Sequence, residues 1–252
     1  MSTLQHRSGA AVTRFPLQTA TQGTTRDDAA GRAPLDKKGA EHIEALRLLE
    51  SIGSPLHFKR NETIFAEGDE SHHVYRVAHG ATRTGRVLMD GRRQIAGFGL
   101  PGDFLGLDWQ PVHSLTAEAV TDLVIVSYPR SQIERLGDSN PALRHEIMQL
   151  LVNGLSDTQA RLVMLGRQTA LERMAWFLVR KAQRLHAVNG LLDLPMSRLD
   201  IADYLGLTIE TVSRVLSQLK KQHLIVCPNA HQIRLTNRGV LESLARGEMA
   251  AA

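Results

Sequence analysis

The chain has one cysteine, Cys227, in 252 residues. A single thiol rules out an intrachain disulfide framework, and nothing around it has the make-up of a metal site. No apolar run approaches the roughly 20 residues of a membrane-spanning helix, and the N-terminus lacks the apolar centre of a secretory signal. The expectation is therefore a cytoplasmic protein with no membrane partner. A nucleophile-and-base set, a phosphate-binding loop and a dinucleotide fingerprint are also missing, which argues against an enzyme. What remains is 42% hydrophobic, enough for a real core in one or two domains.

Charge is unevenly placed. The net charge is only +4, yet from Gly166 onward twelve Lys and Arg stand against seven Asp and Glu, leaving eighteen against nineteen in the rest. A basic C-terminal part on a neutral body suits a nucleic-acid-binding end, because Lys and Arg gain affinity for phosphate by releasing counterions.

Residues 1–38 are rich in Thr, Ala, Gln, Gly and Arg without a sustained apolar period, and read as a disordered tail. From Gly39 to Ile52 an amphipathic helix opens the folded body. Between Pro55 and Arg130 short β-prone runs alternate with glycine-bearing turns, which predicts an antiparallel roll over 39–138. Asp90-Gly91 is a hairpin signal, since both residues tolerate positive φ. His72, His73, His79 and His113 fall in this region, but no short motif makes them converge on a metal or a haem, and none is expected.

A long helix follows over Pro141 to Gly166, within a segment taken as 139–167. Leu143, Ile147, Leu150, Gly154, Thr158, Leu162 and Leu165 recur at three- and four-residue steps. That pattern predicts a dimer seam between two copies of the helix; a helix covering the roll is the alternative.

The segment 168–252 holds the most specific signal, Arg198 to Gln222. Ser197 can cap a helix with Asp200 three residues on, and Ile201, Ala202 and Leu205 give that helix an apolar stripe. Gly206 can take the left-handed conformation of a tight turn, and Thr208 can cap a second helix whose inward stripe is Val212, Val215, Leu216 and Leu219. Two helices so joined make a helix-turn-helix.

The outward face of the second helix carries Glu210, Ser213, Arg214 and Ser217. Arg214 can fork onto guanine N7 and O6, Glu210 can accept from a cytosine amino group, and Ser213 can donate or accept. Arg198, Thr211, Ser217, Lys220 and Lys221 are candidates for phosphate contacts on double-stranded DNA. A strand at Leu191 to Pro195 precedes the motif, and the runs LIVC and QIRL around Pro228-Asn229 read as the hairpin of a wing. Cys227 ends the first of these runs, either as a small apolar residue or as a thiol whose oxidation near DNA would repel phosphate.

A glycine-punctuated roll, a long helix and the run IADYLGLTIETVSRVLSQLKK together resemble the CRP/FNR superfamily of transcription regulators over about Ala45 to Ala245. The resemblance implies an α+β fold: an N-terminal antiparallel β-roll of the cyclic-nucleotide-binding kind, a long dimerisation helix and a C-terminal winged helix-turn-helix. It implies a homodimer and contact with RNA polymerase. Glu210, Ser213 and Arg214 are similar to the FNR and FixK branches, whose matching residues read a TTGA-type half-site. Ile209 stands where the CRP branch has an arginine.

The iron–sulfur cluster of FNR needs four thiolates, and one is present. Leu115 precedes Thr116-Ala117 where a cyclic-nucleotide pocket would have its phosphate-binding arginine. The branch most resembled is therefore FixK, a low-oxygen or nitrogen-oxide regulator with no cofactor. A haem-binding, nitric-oxide-sensing relative of the Dnr type and a regulatory module of an enzyme are the alternatives.

Overall fold

The computed structural model describes residues 37–185 and 190–248; the tail expected over 1–38 falls almost wholly outside them. Helix α1 (Lys37–Ile52) leads into eight strands: β1 (Ser54–Phe58), β2 (Thr63–Phe65), β3 (His73–His79), β4 (Thr82–Val87), β5 (Arg93–Gly99), β6 (Phe104–Leu105), β7 (Thr116–Ala119) and β8 (Leu123–Pro129). They form two antiparallel four-stranded sheets, ordered β1-β8-β3-β6 and β2-β7-β4-β5. Alternation along β7 and β8 turns Ala117, Ala119, Leu123 and Ile125 inward, where they meet Phe65, Val77 and Leu105. This is the expected roll, with its own small core.

The β4–β5 hairpin differs in detail from the Asp-Gly expectation. Leu88 pairs with Arg92, leaving Met89, Asp90 and Gly91 as a three-residue loop, and only Gly91 takes a positive φ, of +81°. Asp90 stays in the ordinary region because its carboxylate accepts from the Arg92 backbone N–H at 3.0 Å.

After β8 come α2 (Arg130–Ser139) and α3 (Pro141–Arg167). Asn140 caps α3, its side chain accepting from the Leu143 N–H at 3.0 Å, and Pro141 fills the first turn, where its missing N–H costs nothing. The C-terminal part is α4 (Ala170–Arg184), β9 (Leu191–Asp193), α5 (Arg198–Leu205), α6 (Ile209–Lys221), β10 (Ile225–Val226), β11 (Gln232–Leu235) and α7 (Arg238–Ala245). Strands β10, β11 and β9 pair in that order, so the wing is a three-stranded antiparallel sheet.

The seam expected on α3 is corrected at Leu143. Leu143 is fully buried within its own protomer, against Ala45, Leu49, Val74, Tyr128 and Ile133, while Ile147 and Leu165 pack against protomer cores. Leu143 is thereby spent inside the chain, whereas Ile147 and Leu165 stay half-buried. Leu150 is half-buried, whereas Gly154, Thr158 and Leu162 are exposed.

The exposed large apolar residues of α3 are Met148, Leu151, Val152, Leu155, Leu162 and Val163, with Leu155 59% and Leu162 72% exposed. At 3.6 residues per turn, Leu151, Leu155 and Leu162 lie about 100° round the helix from Leu143. Spacing alone selects three- and four-residue steps on either face. Which face is open depends on where α1 and α2 pack.

One apolar cluster joins the roll to the C-terminal part: Ile95, Phe98 and Leu100 of the β5 region meet Met174, Phe177 and Leu178 of α4 and the interior of α5 and α6. Among the described residues no helix is long and apolar enough to cross a membrane.

Candidate nucleic-acid interface

Helix α5 begins at a reciprocal cap. The Asp200 N–H donates to the Ser197 hydroxyl at 3.1 Å, and the Ser197 N–H donates to the Asp200 carboxylate at 3.0 Å. It ends at Gly206, whose φ of +63° and ψ of +42° lie in the left-handed region. Thr208 then caps α6 by accepting from the Thr211 N–H at 3.2 Å. Ile201, Ala202 and Leu205 bury against Val212, Val215, Leu216 and Leu219, which sets the angle between the helices.

Arg173, which the sequence reading did not single out, braces this corner from α4. Its guanidinium donates to the carbonyls of Leu165 at 2.9 Å, Gln168 at 3.0 Å and Leu205 at 3.0 Å. Both α3 and α5 therefore end on one cation, which satisfies carbonyls that a helix terminus leaves unpaired. Gln168 and Leu165 lie within eight residues of Arg173, but Leu205 is 32 away, and that partner leaves no local pattern to read in advance.

With the hydrophobic stripe facing inward, Glu210 and Arg214 stand exposed and Ser213 half-buried in the first turns of α6. Hydrogen bonds from its own backbone N–H and the Thr208 hydroxyl hold Glu210 below the usual carboxylate range, so it meets a ligand as an acceptor. Arg214 Nη2 donates to the Thr211 hydroxyl at 3.2 Å. Ile209 is exposed beside them.

Of the phosphate candidates, Arg198, Lys220 and Lys221 are exposed. Thr211 faces Arg214, and the Ser217 hydroxyl donates at 2.9 Å to the Ser213 carbonyl one turn back, so its proton is already committed. Arg234, also missed from the sequence, stands exposed on wing strand β11 between the buried Ile233 and Leu235. Cys227 is half-buried and packs on the C-terminal core.

A cyclic nucleotide in the roll would need a free cation for its phosphate. Phe65 and His113 stack with ring centroids 3.8 Å apart, and His113 Nδ1 lies 3.2 Å from the Ser71 hydroxyl. Arg86 bonds Glu67 and the Ser114 carbonyl, and Arg130 bonds the carbonyls of Gly106 and Gln110 and the Asp108 carboxylate. These two cations are already engaged by acceptors of the chain itself, an arrangement that does not fit a sugar phosphate. Burial pushes the His113 imidazole below its ordinary range. Among the described residues no group of three or more His, Cys, Asp or Glu could hold a metal ion.

A capped helix pair with a polar outward face, flanked by a three-stranded sheet whose β10–β11 hairpin follows it, defines a winged helix-turn-helix regulator of transcription, and the roll ahead of it narrows the class. Residues 172–244 match the model of the Crp-like helix-turn-helix domain, and residues 55–140 match the cyclic nucleotide-binding domain. The chain is 42% identical over 183 residues to the nitrogen fixation regulation protein FixK of Bradyrhizobium diazoefficiens, covering 71% of this chain and 77% of that one. It is 41% identical over 187 residues to FixK of Rhizobium meliloti, covering 74% and 85% respectively. The solved structure of FixK2 from Bradyrhizobium japonicum superposes with a TM-score of 0.74 at 41% identity, covering 80% of this chain and all of that one. The protein belongs to the CRP/FNR family of transcription regulators and, like its relatives, is not an enzyme.

Proposed function

We propose that this regulator is a cytoplasmic FixK-type activator that binds a two-fold-symmetric DNA site of TTGA-type half-sites as a homodimer, in a low-oxygen or nitrogen-oxide response. The observation that carries the reading is the exposure of Glu210 and Arg214, with the half-buried Ser213 between them, on the first turns of a capped helix whose other face is buried. Major-groove readers present their N-terminal turns to base edges in this way. Arg214 takes the guanine and Glu210 a cytosine amino group, with Ser213 beside them. Arg198, Lys220 and Lys221, with Arg234 on the wing, contact phosphates.

The exposed stripe of Met148, Leu151, Val152, Leu155 and Leu162 supports pairing of two α3 helices. Such a pair sets two copies of α6 about one DNA turn apart, roughly 34 Å. Activation then proceeds through contact with RNA polymerase. No iron–sulfur cluster or cyclic nucleotide enters the mechanism: the chain has one thiol, and Arg86 and Arg130 are engaged by the chain's own acceptors.

Selection of DNA from a random pool by the full chain tests this reading. Enrichment of paired, inverted TTGA half-sites is the expected result, and a half-site without the G·C pair assigned to Arg214 would overturn it.

A further inference from the structure

The first helix of the helix-turn-helix is gripped by the roll. Arg93 of β5 donates from Nη2 to Asp200 Oδ1 at 2.7 Å and from Nε to Asp203 Oδ2 at 2.9 Å. Arg83 of β4 reaches the same Asp200 oxygen at 3.2 Å, and also bonds Glu118 at 2.8 Å and Asn61 at 3.3 Å. The Gln94 side chain donates to the Asp203 carbonyl at 2.8 Å, and Arg161 of α3 donates to the Tyr204 carbonyl at 3.0 Å. Three residues of an eight-residue helix are therefore bound by polar groups of the β4–β5 hairpin and of α3.

These contacts are sheltered: the Asp200 side chain is 5% exposed and that of Arg83 12%. Charge pairs removed from water in this way are little screened by salt and are directional through their forked hydrogen bonds. Asp200 has a second duty, since it also closes the cap with Ser197 that starts α5. Burial alone would raise its pKa, but the Ser197 hydrogen bonds and the two arginines hold the carboxyl below its ordinary range.

We propose that Arg93 and Arg83 are positioning residues for DNA reading, through which the roll sets the place of α5, and hence of α6, relative to α3. This inference rests on the reading of α6 as the recognition helix. Its logic is mechanical. Helix α5 joins α6 through a turn closed by the Leu207 N–H on the Ala202 carbonyl at 3.0 Å, so the pair moves as a unit. A dimer reading two half-sites needs both units at one fixed spacing, whereas one unit on one half-site has no such need. Loss of the grip will then weaken binding to the full site and relax its spacing, while leaving the local chemistry of α6 unchanged.

The test uses the full chain carrying Arg93→Ala, Arg93→Lys or Asp203→Asn, with Arg214→Ala as control, on duplexes with two half-sites, with one half-site scrambled, and with the spacing changed by one base pair. The expected result for Arg93→Ala and Asp203→Asn is a loss of about tenfold on the full site. Half-site binding stays unchanged and the preference for the native spacing weakens, while Arg93→Lys recovers part of the affinity through its remaining charge. Unchanged full-site affinity and spacing preference, tighter binding, or an equal loss on full and half sites would each overturn the proposal. If Arg214→Ala leaves specific binding intact, the failure lies with the reading of α6 and not with the grip.

Discussion

The Thr211 hydroxyl accepts a hydrogen bond from Arg214 Nη2 at 3.2 Å, and the same oxygen lies 3.2 Å from the hydroxyl of Thr208, the residue that caps the helix. A guanidinium held by its own helix loses less rotamer freedom when it docks on a base. Thr211→Val keeps the shape and removes the hydroxyl, so it should lower specific binding by about 0.5–1.5 kcal/mol, with Thr211→Ser restoring it. Arg214→Ala should cost about 1–3 kcal/mol of specific binding and spare binding to random DNA. Mobility shifts on selected and random duplexes check both, and equal losses on the two kinds of DNA would remove the direct-readout role.

Lys220 lies in the last turn of α6, exposed and away from the base-reading turns. Lys220→Ala should weaken binding on every sequence alike and make the slope of log affinity against log salt shallower by about one. A sequence-dependent loss would instead place Lys220 among the base contacts.

On α3 the buried and exposed faces predict opposite behaviour. Leu155→Arg puts a charge into the exposed stripe and should abolish the proposed dimer in sedimentation experiments, with little change in the folding stability of the chain. Leu143→Ala should leave the dimer intact but cost about 2–5 kcal/mol of folding stability, because it opens a cavity among Ala45, Tyr128 and Ile133. A monomeric Leu143→Ala protein that melts like the wild type would return the seam to the Leu143 face.

Lys181 of α4 is buried, with Nζ 5.3 Å from the ring centroid of Phe98 in the roll and 5.9 Å from that of Phe177 on its own helix. Burial, with Arg184 next, pushes its pKa from 10.5 down to about 8, despite Asp103 and Asp157 nearby. The folded state thus holds fewer protons than the unfolded chain between the two values, so this group's contribution to stability becomes more favourable as pH rises through 8 towards 10.5. Lys181→Met has nothing to titrate and should exceed the wild type in stability at pH 7. The gap should close by about 2–3 kcal/mol by pH 10 in denaturant titrations. A gap independent of pH would mean that the amine is solvated.

The C-terminal motif was the most legible part of the chain, because its determinants are local. A cap at Ser197, a glycine at the turn and a cap at Thr208 act within three or four residues, and the inward stripes of α5 and α6 repeat at the helical period. The roll was legible as strands and turns, but its pairing order was not, since β1 pairs with β8 across most of the roll sequence. Helix α2, ten residues with only Arg130, Ile133 and Gly137 buried, offered too weak an apolar period to be singled out.

By itself the sequence determined which residues face outward on α6 and that a single thiol cannot hold a cluster, since helical period and ligand count need no knowledge of distant neighbours. Only the tertiary structure decided which face of α3 is open, that Arg173 closes the ends of two helices, and that Asp200 serves the roll as well as its own cap. Each of these depends on groups brought together from far apart in the chain: Arg93 and Asp200 are 107 residues apart yet 2.7 Å in contact. Local patterns carry no record of such partners, because packing rather than propensity selects them.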